Sequence, residues 1–426
     1  EEASFAMPDA HQGYGMPVGG VAAFSLDEGI ISPGAVGYDI NCGVRLIKTG
    51  ESFQNFRKRK SEFADNLDEY VPSGVGQGGH INLSRNDLNS LMESGVDWML
   101  ENGYGIQEDK ILCESRGKLL EADKSFVSQR AKKRGSDQVG TLGSGNHFLE
   151  VQRVETIFDK RSAEAMNIRE NEVVVMIHCG SRGFGHQIAT DYIDQFLESL
   201  DKYNLNLVDD QLACAPFQSK EGRQYWKAMA AAANFAWANR QFITHLVRKA
   251  WSETFGEKMS SVRGELSLVY DVAHNLAKVE NHKVGSGFKE VIVHRKGATR
   301  AFPSGHSETP EVYEEVGQPV MIPGSMSTPS FVLVGREDSM RKSFGSSCHG
   351  AGRVMSRTKA KKKVWGEDLR DKLEDRGIDI RADSMPGLAE EASIAYKDPS
   401  EVVRVVENLN LASRVAKMKP LSVIKG

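Results

Sequence analysis

The chain has 426 residues, 40% of them hydrophobic and 26% charged, a soluble-protein balance that allows one large core or two to three ordinary domains. Lysine and arginine total 54 against 58 aspartate and glutamate, a net charge of −4, which excludes a uniformly basic nucleic-acid coat and confines any such contact to a local patch. There is no apolar run of about 18 residues that could span a membrane, and no basic-then-apolar leader at the start.

Glu1-Glu2-Ala3-Ser4-Phe5 lacks an initiator methionine, so the start reads as trimmed. Short apolar runs predict buried strands at Val21 to Phe24, Val44 to Ile47, Val173 to Ile177, Leu268 to Val272, Val291 to Val293 and Phe331 to Val334. Helical patterns lie between them. The clearest is the alanine-rich stretch Gln224 to Trp251; others are Asp368 to Asp375, ended by Gly377, and Glu401 to Met418, ended by Pro420. Strands and helices interleave without a regular βαβ rhythm or a linker, which predicts one mixed α/β unit with several sheets over residues 1–426. Three basic runs stand out: Arg57 to Lys60, Arg130 to Arg134, and Arg353 through Arg357 to Lys363. The first reads as a solvated helix face; the third begins beside a histidine loop. The five cysteines, Cys42, Cys113, Cys179, Cys214 and Cys348, are odd in number and contain no CxxC pair, which points to a reducing cytoplasm.

Polar residues gather where apolar strands stop. Val173 to Ile177 runs into His178, Leu268 to Val272 into Ala273-His274-Asn275, and Val291 to Val293 into His294. With Gly145-Asn146-His147-Phe148 after a glycine-rich turn, these endings suggest convergence, because binding loops collect at the ends of rigid strands. In Gly37-Tyr38-Asp39-Ile40-Asn41-Cys42-Gly43, a carboxylate and a thiol three residues apart can face one cation. A thiolate can also bridge two ions. Asp39, Cys42, His147, His178 and His274 therefore offer ligands for two open sites sharing Cys42, a device suited to displacement at phosphorus. Each residue alone is more often an ordinary buried or turn residue. Asn146 and Glu150 flank His147, and the loop Pro323 to Ser330 can offer backbone N–H groups and hydroxyls to a nucleotide.

The stretch Gly345-Ser346-Ser347-Cys348-His349-Gly350-Ala351-Gly352-Arg353 sets one histidine against small residues and an arginine. A neutral imidazole is a competent nucleophile near pH 7. Attack on an α-phosphate would give a phosphoramidate, with Gly350 and Gly352 letting amides approach the phosphate and Arg353 holding it.

These segments, with Met7-Pro8-Asp9-Ala10-His11-Gln12-Gly13-Tyr14-Gly15, His178 to His186, Tyr270 to Asn275 and His294 to Phe302, closely resemble the RtcB family of GTP-dependent RNA ligases, archaeal-type members above all. The resemblance runs to Lys425-Gly426, and members usually carry a longer segment ahead of Met7. It implies stacked β-sheets surrounded by helices around a central active-site cleft. It also implies joining of RNA 3′-phosphate or 2′,3′-cyclic phosphate ends to 5′-hydroxyl ends, in tRNA exon ligation and RNA repair. Two manganese ions are implied, one held by Asp39, Cys42 and His147 and the other by Cys42, His178 and His274, although ligand softness alone would equally allow zinc. GTP would guanylylate His349. The guanylate contacts implied are Asn146, His147, Phe148, Leu149, Glu150, His274, Asn275, Pro323, Gly324, Ser325, Met326, Ser330, His349, Gly350, Ala351, Gly352 and Lys425. Asp9 is placed near the opening of the cyclic phosphate, and Arg182, Arg300 and Arg353 are candidates for RNA phosphates. The implied partners are broken RNA or tRNA halves and the accessory protein archease, with a monomeric, cytoplasmic chain. Two rival readings are a dinuclear phosphoesterase that only hydrolyses, which leaves His349 idle, and a non-catalytic RNA-binding protein with a structural metal.

Overall fold

The computed structural model describes residues 3–256 and 266–426. The mixed α/β class is as expected. The main sheet orders its strands Pro319–Ile322, Ser330–Gly335, Ala412–Lys425, Phe148–Ile157, Glu172–Cys179, Gly43–Ser52 and Ser267–Ala273, every neighbouring pair antiparallel. Asp379–Ala382 adds a parallel pairing to the end of Ala412–Lys425. The run Val173 to Ile177 is continuously apolar because both faces of its strand are covered. Val173, Val175 and Ile177 pack into the largest core, and Val174 and Met176 pack into a second core across the sheet.

A second sheet orders Ala3–His11, Val18–Ser25, Gly287–Lys296 and Asn275–Val284. The chain passes from the main sheet into this one at His274, the residue between strands Ser267–Ala273 and Asn275–Val284. A short ribbon pairs Ala298–Arg300 with Ser346–Cys348 and delivers His349 to the junction.

The alanine-rich helix runs Lys220–Phe255, capped by the Ser219 side chain, and is buried along most of its length against the main sheet's first core. Small side chains let it lie close to the strands. It also carries buried polar residues, Asn234, Asn239, Arg240, Gln241 and Thr244, which a purely structural helix has little reason to bury. Arg57 to Lys60 is indeed a solvated surface, with Arg59 paired to Glu62.

One predicted helix is half wrong. The stretch Glu401 to Met418 splits into helix Pro399–Asn408 and strand Ala412–Lys425, with Asn410 at φ 56 marking the break. Val402, Val403 and Val406 bury the helix face, while Val415, Ala416 and Met418 bury into the sheet. The spacing of 411, 415 and 418 fits a helix as well as a strand, and pairing with two long neighbours decided it. Pro420 therefore lies within the strand, beside a register shift, and does not end a helix.

Candidate paired-cation and nucleotide site

In an antiparallel sheet, alternate strands start and finish at the same edge. Four adjacent strands bring their ligands to one edge in this way. Cys42 precedes Gly43–Ser52, His147 precedes Phe148–Ile157, His178 lies near the end of Glu172–Cys179, and His274 follows Ser267–Ala273. The register puts Val44 and Phe148 opposite His178, and Gly43 opposite both Cys179 and Ala273. Cys42 Sγ lies 3.4 Å from His147 Nε2 and 3.2 Å from His178 Nε2. His178 Nε2 lies 3.3 Å from His274 Nε2, and His147 Nε2 lies 2.8 Å from Asp39 Oδ2. The five residues fall into two groups of three ligand atoms, Asp39–Cys42–His147 and Cys42–His178–His274, each within 4.8 Å, joined by the one sulfur. His294, the third strand-end histidine, does not join them. It is buried beside Phe24, its Nε2 accepts from the Ser32 N–H, and burial lowers its pKa to about 4.

The donor set fits a pair of cations. Buried side chains normally present donors to acceptors, yet here three imidazole nitrogens, a sulfur and a carboxylate converge on one another. His147 can give its Nδ1 proton to the Leu142 carbonyl at 3.0 Å. Against burial, Cys179, Cys42 and Asp39 raise the ring well above the usual histidine range, so without metal Nε2 carries a proton toward Asp39, and a cation would take that proton's place. Burial, with His147 and His349 for His178 and with His349 and His178 for His274, holds both rings well below the usual histidine range, so both stay neutral and able to bind metal. Burial and the Asp39 carboxylate push the Cys42 thiol up to about 12. A divalent cation is what would take that proton off.

His349 stands beside this cluster, its ring centroid 4.9 Å from that of His274. Sequence reasoning placed Asp9 near the substrate and missed its partner. One oxygen, Asp9 Oδ2, accepts from the His349 ring Nδ1 at 2.6 Å, the His349 backbone N–H at 3.0 Å and the Gly350 N–H at 3.2 Å. The carboxylate fixes the tautomer and presents Nε2 as the unprotonated nitrogen. The Gly350 amide is thus committed to Asp9 and not free for phosphate. Gly352 explains the glycine run: at φ 75, a Cβ there would sit 2.1 Å from the Asp9 carbonyl oxygen, so only glycine lets the loop close on Asp9.

A cavity of about 400 Å³ opens in front of His349. Asn146, Phe148, Glu150, His178, His274, Asn275, Pro323, Gly324, Ser325, Met326, Gly350, Ala351, Gly352 and Lys425 line it, as do Asp39 and Arg353. Burial raises Glu150 to about 7, against the pull of Gln152 and Lys425. Lys425 arrives because strand Ala412–Lys425 pairs with Phe148–Ile157, placing its Nζ 2.7 Å from the Gly145 carbonyl and 3.1 Å from that of His147. Three expected contacts do not reach this cavity's wall, and one of them, His147, lines the neighbouring cavity instead. Leu149 points across the strand into the largest core, and Ser330 accepts from the Gln152 side chain and the Gly324 N–H, shaping the Pro323 loop from behind. His11 and Lys296, from segments that carry the family resemblance, and Arg357, from the third basic run, also line it, as do Glu391 and Tyr396, which sequence reasoning passed over. The Tyr396 hydroxyl donates to Glu391. Nothing in its sequence neighbourhood marks Tyr396.

A second, more open cavity of about 960 Å³ meets the first at Asp39, Asn146 and Arg357, and is lined by His147, Arg182, His186, Lys361 and Glu390 among others. The three candidate phosphate arginines part company. Arg182 lines this second cavity. Arg353 is held by Glu391, the Tyr396 hydroxyl and the Glu390 carbonyl, so it braces the wall of the first cavity. Arg300 is 1% exposed and bound to Glu308 and Gln318, which removes it from any RNA surface.

No helix among the described residues is long and apolar enough to cross a membrane. The family model described as "tRNA-splicing ligase RtcB" matches residues 1–426. The chain is 52% identical over 423 residues to a "tRNA-splicing ligase RtcB" of Thermococcus kodakarensis, covering 99% of this chain and 87% of that protein. It is 50% identical over 424 residues to the protein of the same name in Archaeoglobus fulgidus, covering 100% and 88%. An "RNA-splicing ligase RtcB homolog 1" of Entamoeba dispar is 49% identical over 427 residues, covering 100% and 79%. A chain matched from end to end by the family model, with two three-ligand groups sharing one cysteine beside an aspartate-bound histidine, belongs to the RtcB family.

Proposed function

We propose that this chain is an RNA ligase that joins 3′-phosphate or 2′,3′-cyclic phosphate ends to 5′-hydroxyl ends, as in the joining of tRNA exons, using GTP through a guanylylated His349. The observation that carries the reading is the Asp9–His349 pair beside the two ligand groups. A hydrolase needs the cation groups but has no use for an imidazole whose tautomer is fixed for nucleophilic attack.

His349 Nε2 attacks the α-phosphorus of GTP. A P–N bond forms, the α–β P–O bond breaks and pyrophosphate leaves. Asp9 keeps the Nδ1 proton in place and stabilises the positive charge that the ring gains. An oxygen of the RNA 3′-phosphate then attacks the same phosphorus, the P–N bond breaks and His349 is restored. The terminal phosphate, which as a dianion repels nucleophiles, now carries GMP as its leaving group. The 5′-hydroxyl attacks the terminal phosphorus, loses its proton, and GMP departs. Asp39, Cys42, His147, His178 and His274 would hold two divalent cations, manganese by the family resemblance, and these supply charge neutralisation and alignment at phosphorus. Glu150 and Lys425, an acceptor and a donor on the cavity wall, suit the edge of a guanine base. Arg182, Arg357 and Lys361 on the wall of the second cavity suit RNA phosphates.

The test is incubation with manganese and GTP labelled at the α-phosphate. Acid-labile, alkali-stable label on the chain, lost in His349→Ala, is expected. Label from the γ-phosphate, or no label in protein loaded with metal, would favour the hydrolase or the binding protein.

A further inference from the structure

The four ligand-bearing strand ends are tied together from below by two consecutive residues of the buried helix Lys220–Phe255. Arg240 is fully buried and all five of its N–H donors are used. Nε and one Nη2 donor take Asp271 Oδ2 and Oδ1, each at 2.8 Å. The other Nη2 donor reaches Asn41 Oδ1 at 3.3 Å. Nη1 takes the backbone carbonyls of Asn41 at 2.8 Å and Cys179 at 2.9 Å. Asn41 precedes Cys42, Cys179 follows His178, and Asp271 lies three residues before His274. One guanidinium therefore sets the distances among three ligand-bearing strands.

Asn239 covers the fourth. Its side-chain oxygen accepts from the Gly140 N–H at 2.7 Å, in the loop that leads to His147. Its amide donates to the carbonyls of Thr141 at 3.2 Å and Gly180 at 3.1 Å, and contacts Cys179 Sγ at 3.2 Å. Neither residue lines the cavity in front of His349.

We propose that Asn239 and Arg240 are positioning residues that hold the two ligand groups at the spacing two cations need, before any ion arrives. This rests on the paired-cation reading above. Planar, forked donors are required because the acceptors lie on three different strands. A lysine ammonium is a single point with three donors and cannot span them.

Arg45 provides the control. It is equally buried and shares Asp271 with Arg240. Its other partners are the Gln241 and Thr244 side chains on the helix and the Cys113 sulfur at 3.9 Å, none of them ligand-bearing backbone.

The experiment uses the full chain, stripped with chelator and titrated with cobalt(II) as a coloured stand-in. Bound cobalt is counted, and the d–d and thiolate charge-transfer bands are followed alongside thermal melting of the metal-free protein. The wild type should take two ions and show the thiolate band. Arg240→Lys should weaken cobalt binding by about 10- to 100-fold, the usual effect of removing a group that orients ligands from behind, and should shift the d–d bands. Asn239→Ser should shift them too, and it stands in if Arg240→Lys does not fold. Arg45→Lys should melt earlier yet keep the wild-type bands. The proposal is overturned if Arg240→Lys and Asn239→Ser keep the wild-type spectrum and stoichiometry, or if Arg45→Lys alters them as strongly. If the wild type itself fails to bind two ions with a thiolate band, the paired-cation reading falls first and takes this one with it.

Discussion

Asp9→Asn isolates the chemistry of the Asp9–His349 pair from the fold. The asparagine oxygen can still accept from the His349 and Gly350 N–H groups that Oδ2 now serves, and Oδ1 has no hydrogen-bond partner to lose. What disappears is the negative charge 2.6 Å from the ring Nδ1. Replacing a charged acceptor by a neutral one at a buried hydrogen bond costs about 1–2 kcal/mol. As Nε2 attacks, the ring gains positive charge at a largely buried position, and the loss grows toward about 3 kcal/mol. At about 1.4 kcal/mol per factor of ten, guanylylation should slow by roughly 10- to 200-fold. The assay is single-turnover formation of label on the chain from α-labelled GTP, with metal content and melting temperature measured in parallel. Metal content should not change, because Asp9 belongs to neither ligand group. Wild-type labelling kinetics in a folded, metal-loaded Asp9→Asn protein would refute the tautomer argument.

Cys42→Ser should lose both ions together, since the sulfur belongs to both groups, and metal analysis of the purified variant against wild type checks this. Metal uptake should tighten as pH rises, because the metal-free Cys42 thiol titrates at about 12 and must release its proton to bind. The apparent affinity should climb by about tenfold per pH unit for each proton released, readable by competitive titration with a chelating dye. Nucleotide binding should weaken as pH falls through about 7, where the empty-site Glu150 becomes protonated and loses its charge and one of its two acceptor oxygens. Glu150→Gln should flatten that pH dependence in a GTP-binding titration. Gly352→Ala must give up φ 75 and clear the Asp9 carbonyl oxygen at 2.1 Å, so it should destabilise the His349 loop by about 1–3 kcal/mol and slow labelling even where metal content is normal.

Much of the site was legible because its chemistry is concentrated in short segments. Asp39 and Cys42 sit three apart in one turn, and His178 and His274 close apolar runs that read as buried strands. Strand endings are visible as a change from Val and Ile to Gly, His and Asn, and that change is local. Lys425, by contrast, was legible only through family likeness, since its local sequence is an ordinary polar tail.

By itself, the amino-acid order determined the strand and helix propensities, the small-residue approach to His349 and the identity of five candidate metal-ligating side chains. Only the tertiary structure decided that Asp9 holds His349, that His294 stands apart, that Arg300 is buried in an ion network, and that residues 412–425 form a strand. The reason is common to all four. Each depends on which other segment lies alongside, from Glu308 and Gln318 close to Arg300 in the chain to His349 far from Asp9, and local periodicity is silent on that pairing.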